Sequence, residues 1–155
     1  MMTDIDEIDR AILAILQTSG RVTNAELARQ VNLSPPAVHA RLRRLEEQGL
    51  IRQYVALLDR EAAGYDMLCL INIRMELHQR EHVERLRSIV QTMPEVLECH
   101  HVTGEYDYQL KVVLRNRKEL ERFVVDRLTT IPGIAHIRTS LVLSEIKSTT
   151  AIPFD

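Results

Sequence analysis

The chain has 155 residues, 45% of them hydrophobic and 27% charged, which is enough to build a core as one domain or as two small ones. The formal net charge of -2 excludes a basic surface over the whole chain, so any contact with nucleic acid must be local. No apolar run approaches the roughly 18 residues of a membrane span, and two separated cysteines without a secretory leader favour a cytoplasmic protein with free thiols.

The first predicted element is a helix in the stretch TDIDEIDRAILAILQTSG. Its apolar side chains recur on one helical face, at Ile5, Ile8, Ile12, Ile15 and Leu16. Acidic side chains lie at the positive end of the helix dipole, at Asp4, Asp6 and Glu7. We expect this helix to close at Gly20 and to bury its apolar face.

A short second helix and a tight turn follow. Thr23 precedes Glu26 by the capping-box spacing, and the helix then offers Leu27, Ala28 and Val31 to a core. Asn32 can adopt the left-handed conformation that ends a helix, and Ser34 can cap the next one, with Pro35 at its first position. Only about three residues separate the two helices, so we expect them to cross steeply.

The third helix carries a mixed surface. Val38, Leu42 and Leu45 form its inward stripe. The outward and flanking positions are taken by small residues first and by cations about one turn later, namely Pro36, Ala37, His39, Ala40, Arg41, Arg43, Arg44 and Glu47. This order is what a DNA-reading helix needs, since early residues reach base edges and cations hold phosphates.

The alternative interpretation is a solvated charged helix in which Arg43 and Glu47 form an i, i+4 pair. Six arginines against three glutamates between Arg21 and Arg52 concentrate a charge of +3 around this helix. A three-helix unit with a tight, capped turn favours DNA binding over the solvated face.

After an extended segment, LIRQYVALLD, the chain repeats itself from a junction near residues 60–66. A shift of 38 residues aligns ERLRSIVQTMP with RFVVDRLTTIP, so each copy is predicted to be strand, helix, strand. The predicted helices cover about 80–92 and 118–130, and the strands are MLCLINIRM, VLECHHV, YDYQLKVVL and IAHIRTSLVL. The inward helix positions are Val83, Leu86, Val90 and Met93, then Leu120, Phe123, Val124, Leu128 and Ile131.

A doubled strand-helix-strand predicts a four-stranded antiparallel sheet with both helices on one face, the ferredoxin-like βαββαβ arrangement. The other face of the sheet mixes apolar with polar residues. A second copy of the chain is therefore expected to cover it, and a homodimer also suits a helix-turn-helix that reads two half-sites.

The loop VTGEYDYQL joins the two repeats and is the most unusual local sequence of the second half. Gly104 permits exposed backbone amides, Thr103 adds a hydroxyl, and Asp107 supplies a carboxylate. Amides can hold a carboxylate and an aspartate can balance an ammonium, which together suit an amino acid. The alternative is a hairpin turn in which Asp107 caps backbone groups.

The histidines do not predict a metal site. His100 and His101 are adjacent in a strand and point to opposite faces, and His78 with His82 has no third ligand nearby in sequence. The chain also has no nucleophile elbow, phosphate-binding glycine loop or dinucleotide fingerprint, so we expect neither an enzyme nor a cofactor.

Taken together, LSPPAVHARLRRLEEQGLI and VTGEYDY, with the closing RTSLVLSEIKSTT, make the chain resemble the leucine-responsive/asparagine-regulator (Lrp/AsnC) family of prokaryotic transcription regulators. The resemblance runs almost from end to end. It implies an α+β protein, with an N-terminal winged helix-turn-helix of three helices joined by a hinge strand to a C-terminal ferredoxin-like domain that senses a ligand and assembles further, with octamers expected.

The resemblance also implies where the sites lie. The DNA-binding residues would be Ser34, Pro36, Ala37, His39, Ala40, Arg41, Arg43 and Arg44. The amino-acid effector would bind at Thr103, Gly104, Glu105, Tyr106 and Asp107, facing Thr139 and Ser140 of the last strand. We accordingly divide the chain into a DNA-binding domain at 1–51, a hinge strand and linker at 52–65, and an effector-binding and oligomerisation domain at 66–155.

The expected function is an amino-acid-responsive regulator that binds double-stranded DNA. Two alternatives stay open. Siroheme decarboxylases resemble this fold in both domains and would use His100, His101 or Arg138 around a tetrapyrrole. An amino-acid-binding module without DNA function is the other. The basic third helix favours the regulator over both.

Overall fold

The computed structural model describes residues 5–76 and 80–154. Its contacts divide the chain into two compact units, Met1–Leu57 with Lys147–Asp155, and Leu58–Ile146. The first boundary lies within the predicted hinge. The second differs from the predicted division, because the segment after residue 146 belongs to the N-terminal unit and not to the C-terminal one.

The first unit is built on three helices, α1 (Glu7–Thr18), α2 (Asn24–Gln30) and α3 (Pro35–Glu47). The start of α1 is fixed by a reciprocal pair in which Asp6 accepts the N–H of Asp9 at 2.8 Å and Asp9 accepts the N–H of Asp6 at 3.2 Å. Ile12 is fully buried, as the apolar period predicts, and Leu13 joins it in the core. Asp9 is buried on the same side of the helix.

The turn between α2 and α3 confirms its predicted geometry. Thr23 accepts the N–H of Glu26 at 3.1 Å, and Ser34 accepts the N–H of Ala37 at 3.4 Å, so both helices begin at hydroxyl caps. Asn32 has a φ of 54°, in the left-handed region. The inward stripe of α3 is also confirmed, since Val38, Leu42 and Leu45 are buried.

The C-terminal segment packs onto this unit through two contacts. The side-chain amide of Gln17 on α1 donates to the carbonyl of Ile152 at 2.8 Å and accepts the N–H of Ile152 at 2.6 Å. Phe154 packs against the helical core. Apolar burial and a paired backbone therefore explain why residues after 146 leave the second unit.

The second unit has the predicted ferredoxin-like order of elements. They are β1 (Met67–Met75), α4 (Arg80–Gln91), β2 (Val96–His101), β3 (Tyr108–Leu114), α5 (Arg117–Arg122) continued by a π-helical turn (Phe123–Leu128), and β4 (Ile134–Leu141). The sheet order is β2-β3-β1-β4, and all three neighbouring pairs are antiparallel. This confirms the predicted fold class.

The segment before β1 differs from the predicted hinge strand. Residues 52–59 form neither helix nor strand, and residues 60–64 form a turn. A strand exists only where a neighbour completes its ladder of hydrogen bonds, and none of the four strands in residues 5–76 and 80–154 pairs with this segment.

The core of the second unit lies between the sheet and its helices. Ile71, Ile73 and Leu110 of the sheet pack with Leu86 and Phe123, which are two of the predicted inward helix positions. Alternation along the strands places a polar row on the other face, where Asn72 pairs in register with Gln109 and with Arg138. Within the described residues, no helix is long and apolar enough to cross a membrane.

Candidate functional site

The outer face of α3 is open along its length. Pro36, His39 and Ala40 are exposed and Ala37 is half-buried. Ser34, which is also exposed, uses its hydroxyl to cap the helix. Small side chains at the start of a helix allow its backbone to approach a partner closely, so this part of α3 can enter a groove.

Arg43 is the most accessible arginine of the predicted set. Its Nε donates to Glu47 at 2.8 Å, and the two side chains are 72% and 64% exposed. A solvent-exposed i, i+4 pair of this kind is worth only about 0.3–0.5 kcal/mol. Arg43 can therefore exchange Glu47 for a phosphate at small cost.

His39 lies beside a residue that the sequence did not single out. Its Nδ1 is 3.5 Å from the amide nitrogen of Asn24, at the start of α2. His39, Arg43 and Asn24 border an open groove, which Glu46 and Tyr54 also line. The sequence shows a polar residue, Asn24, at the first position of α2, and this was the available indication of its contact with His39.

Tyr54 follows α3 and is anchored to it. Its hydroxyl donates to Glu46 at 2.8 Å, and desolvation, helped by this carboxylate, raises the pKa of Tyr54 to about 12. The hydroxyl therefore remains a hydrogen-bond donor over the physiological pH range.

Arg41 and Arg44, which are 24% and 45% exposed, differ from Arg43 because both pair with a buried carboxylate. Arg41 donates to Asp9 at 2.8 Å and to Asp6 at 2.7 Å, and Arg44 donates to the other oxygen of Asp9. The sequence offered a signal for this, because the helical period places Asp9 among the apolar positions of α1, where a lone carboxylate needs a partner.

The loop at Val102–Asp107 forms a tight connection with its aspartate turned inward. The Asp107 carboxylate accepts the N–H of Met75 at 2.7 Å, and its own N–H donates to the carbonyl of Ile73 at 2.9 Å. Gly104 has a φ of 118°, which a side chain would strain. Thr103 and Glu105 are exposed, so the loop presents a hydroxyl and backbone groups at the surface.

The residue of β4 that meets this loop is His136. The rings of Tyr106 and His136 stack with centroids 6.1 Å apart. Thr139 and Ser140 lie further along β4, in register with Ile71 and Leu70, and their side chains leave on opposite faces of the sheet. Within the single chain, Tyr106 of the loop thus stacks on His136 of β4, a pairing that sequence spacing does not show.

The strand histidines have separate partners. His100 lies 2.9 Å from Glu98, and this hydrogen bond, helped by Lys111, lowers the pKa of the Glu98 carboxyl. His101 stacks on Tyr108 with ring centroids 4.8 Å apart. Among the described residues no three His, Cys, Asp or Glu side chains converge as a metal site would require. His78 lies outside those residues.

Comparison with known proteins accounts for both units. Residues 5–52 match the family model of a winged helix-turn-helix DNA-binding domain. Residues 68–152 match the model of the Lrp/AsnC ligand binding domain. The two matches together follow the two groups of elements described above.

Whole-length relatives agree with these matches. The transcriptional regulator AzlB of Bacillus subtilis is 33% identical, with 97% of this chain and 96% of the relative covered. The leucine-responsive regulatory protein of Klebsiella pneumoniae is 38% identical, with 93% and 88% covered. The crystal structure of the transcriptional regulator NMB0573 of Neisseria meningitidis in complex with L-Met superposes with a TM-score of 0.93 at 37% identity, covering 97% of each chain. From its two matched domains and these relatives, the chain belongs to the Lrp/AsnC family of transcriptional regulators.

Proposed function

We propose that this protein is a sequence-specific DNA-binding transcriptional regulator whose DNA affinity or assembly responds to a small amino acid. The observation that carries the proposal is the capped, exposed face of α3, on which small residues precede Arg43. Such a helix can lie in a major groove with its first turn at the base edges and its cation on the backbone.

The amino acid is assigned to the loop at Val102–Asp107. Exposed backbone and the Thr103 hydroxyl suit a carboxylate, and Asp107 suits an ammonium, with Thr139 and Ser140 proposed as the facing wall. A solved relative carries L-Met and another is named leucine-responsive, so these two amino acids are the first effectors to test.

We further propose that the protein acts as a homodimer that assembles to an octamer. The face of the sheet away from the helices is half-exposed at Leu70, Asn72 and Gln109, and Leu143 and Ile146 beyond β4 are more than nine-tenths exposed. Large exposed apolar side chains favour contacts between subunits. An effector that binds one assembly better than another shifts the equilibrium between them.

The regulator is expected to work in the cytoplasm, where its DNA targets lie, without a catalytic step or cofactor. The relatives named as transcriptional regulators support this proposal. The competing enzyme hypothesis has a direct test, since turnover of siroheme by the purified protein would contradict the proposal.

The decisive experiment recovers genomic DNA fragments bound by the purified protein, with and without a mixture of the common amino acids. We expect a limited set of enriched fragments whose occupancy changes when L-Met or L-Leu is added. Uniform retention of all fragments would contradict sequence-specific binding. Occupancy unaffected by every amino acid would contradict effector sensing.

Asp107→Asn tests the effector loop separately from the fold. Asparagine keeps an oxygen for the N–H of Met75 but loses the negative charge, so we expect normal DNA binding without an amino-acid response. Asp107→Ala is the comparison, because it also leaves that N–H without its acceptor and lowers stability by about 1–3 kcal/mol. Calorimetry with the amino acid that changes DNA occupancy in the fragment experiment decides the point. A binding response of Asp107→Asn equal to that of the wild type contradicts the assignment.

A further inference from the structure

Asp9 is the one buried charged residue in the part of the chain that the structure describes. It lies on the core-facing side of α1 and is 1% exposed. A buried carboxylate is tolerated only when charge and hydrogen bonds compensate for its lost water. Its partners therefore decide what it does.

The partners of Asp9 come largely from the candidate recognition helix. Oδ1 accepts Arg41 at 2.8 Å, while Oδ2 accepts Arg44 and the backbone N–H of Asp6. Asp6 accepts Arg41 as well, at 2.7 Å. Two carboxylates of α1 thus neutralise two guanidinium groups of α3, and the four side chains together carry no net charge.

This network sets Arg41 and Arg44 apart from Arg43. The Arg43 side chain is 72% exposed and pairs with an exposed glutamate, whereas Arg41 and Arg44, at 24% and 45% exposed, share the buried carboxylate of Asp9. Releasing Arg43 to a phosphate leaves Glu47 in water. Releasing Arg41 or Arg44 would leave Asp9 buried with less compensation, which strongly disfavours the exchange.

We propose that Asp9 is a positioning residue for DNA recognition: it fixes α3 against α1 and withholds Arg41 and Arg44 from phosphate, so that Arg43 is the phosphate-binding arginine of this helix. The inference rests on the proposed DNA-binding function. It assigns Arg43 a different role from Arg41 and Arg44, although the three lie within four consecutive positions.

Withholding two cations also has a consequence for specificity. Contacts to phosphate carry no sequence information and raise affinity for every duplex alike. A helix that offers fewer phosphate contacts and is held in one orientation depends more on its base contacts. Asp9 is therefore expected to favour chosen sequences over random DNA.

The experiment measures the salt dependence of binding, by fluorescence anisotropy, on two duplexes. One is the most enriched genomic fragment, and the other has random sequence. For Arg43→Ala we expect the slope of log K against log[salt] to become shallower by about 0.9 for each phosphate that the variant no longer neutralises. For Arg44→Ala we expect the wild-type slope on both duplexes.

Asp9→Asn should have the opposite effect, because it frees Arg44 while keeping side-chain size, whereas Arg41 keeps Asp6 as its partner. On the random duplex we expect a steeper slope, by up to about 0.9 for each helical unit bound, and tighter binding. The ratio of affinities for the two duplexes should fall. A residue with only a structural role would weaken binding to both duplexes without steepening either slope.

The double variant Asp9→Asn, Arg44→Leu keeps the test valid if a single variant fails to fold, because it removes the buried carboxylate together with one of its cations. Arg41 still has Asp6, so we expect the wild-type slope from this protein. Thermal unfolding by circular dichroism identifies which variants are folded.

Two further outcomes overturn the inference, and they differ from each other. If the wild type binds DNA but Arg44→Ala, or the double variant, loses as much slope as Arg43→Ala, Arg44 contacts phosphate and the inference is wrong. If the wild type retains neither duplex even at low salt, the proposed function itself is wrong, and the inference falls with it.

Discussion

At the scale of single residues, the arginines of α3 show which properties the sequence predicts and which it does not. Helical periodicity assigns Arg43 to the outward face and the other two to the flanks, which the structure confirms for Arg43. The partner on a flank belongs to another helix, however, and only folding brings Asp9 beneath Arg41 and Arg44. The ion pairs of Arg41 and Arg44 therefore depend on a residue outside their own helix.

The pH dependence of stability tests this network at Asp6. Hydrogen bonds from the backbone of Asp9 and from Arg41 lower the pKa of Asp6 below its ordinary value of 3.8. A lowered pKa in the folded state means stability that is present above pH 3.8 and is lost as the pH falls through the folded pKa.

We therefore expect the wild type to be more stable than Asp6→Asn at neutral pH, with the difference disappearing in acid. Urea unfolding at a series of pH values measures both proteins. A difference that stays constant below pH 3.8 would contradict the role of the Asp6 charge.

The loop at Val102–Asp107, proposed as the effector site, also shows at residue scale what the sequence does and does not reveal. Of the two interpretations of Asp107, the cap for backbone groups is confirmed, because the carboxylate accepts the N–H of Met75, and the ligand for ammonium stays a prediction. The contact of His136 with Tyr106 is visible only in the folded structure, because the two residues are 30 positions apart in the sequence.

At the scale of elements, the helix caps and the turn between α2 and α3 were predicted correctly. Thr23, Asn32 and Ser34 act through neighbours within three or four residues, so their roles can be read locally. The hinge at residues 52–59 was predicted as a strand and is not one in the single chain. Strand formation depends on a partner that local sequence does not specify.

The left-handed residue between α2 and α3 gives a prediction at this scale. Asn32→Ala should lower the free energy of unfolding by about 1–2 kcal/mol, because alanine pays the full cost of a positive φ. Asn32→Gly is the matched control and should stay close to the wild type. Urea unfolding distinguishes them, and equal losses in both variants would mean that the asparagine side chain, not its φ, is what matters.

The C-terminal segment gives a second prediction for an element. Phe154→Ala should destabilise the helical unit by about 1–2 kcal/mol, since its ring is partly buried against that core. Ile152→Ala is the control, because this side chain is 65% exposed and its backbone bonds to Gln17 remain. Hydrogen exchange of the α1 amides follows the unit directly. Unchanged exchange in Phe154→Ala would show that the segment does not stabilise α1.

At the scale of the whole molecule, the chain crosses between its two units twice, once near residue 57 and again near residue 147. The second crossing comes after residues 142–146, which connect the end of β4 to the segment packed on α1. The domain division predicted from the sequence placed these last residues in the C-terminal domain. A short stretch of sequence does not show which of two cores will bury Phe154.

One face of the sheet points away from the helices and mixes polar with apolar side chains. This face leads to a prediction about assembly. Leu70 lies in register between Lys111 and Ser140 and is half-buried. Leu70→Asp should reduce the mass measured by sedimentation, because an unpaired carboxylate is costly between two sheets. Ser88→Asp, on the exposed side of α4, is the control. Unchanged mass in Leu70→Asp would place the subunit contact elsewhere.

By itself, the sequence determined the helices and their caps, the doubled strand-helix-strand and the inward stripe of α3. Hydrophobic periodicity and capping act over one or two turns, so they are visible in the chain as written. Only the tertiary structure decided that Asp9 neutralises Arg41 and Arg44, that His136 meets Tyr106 and that the last residues return to α1. These contacts join residues 30 or more positions apart, and such pairings follow from how whole elements pack, which no local pattern encodes.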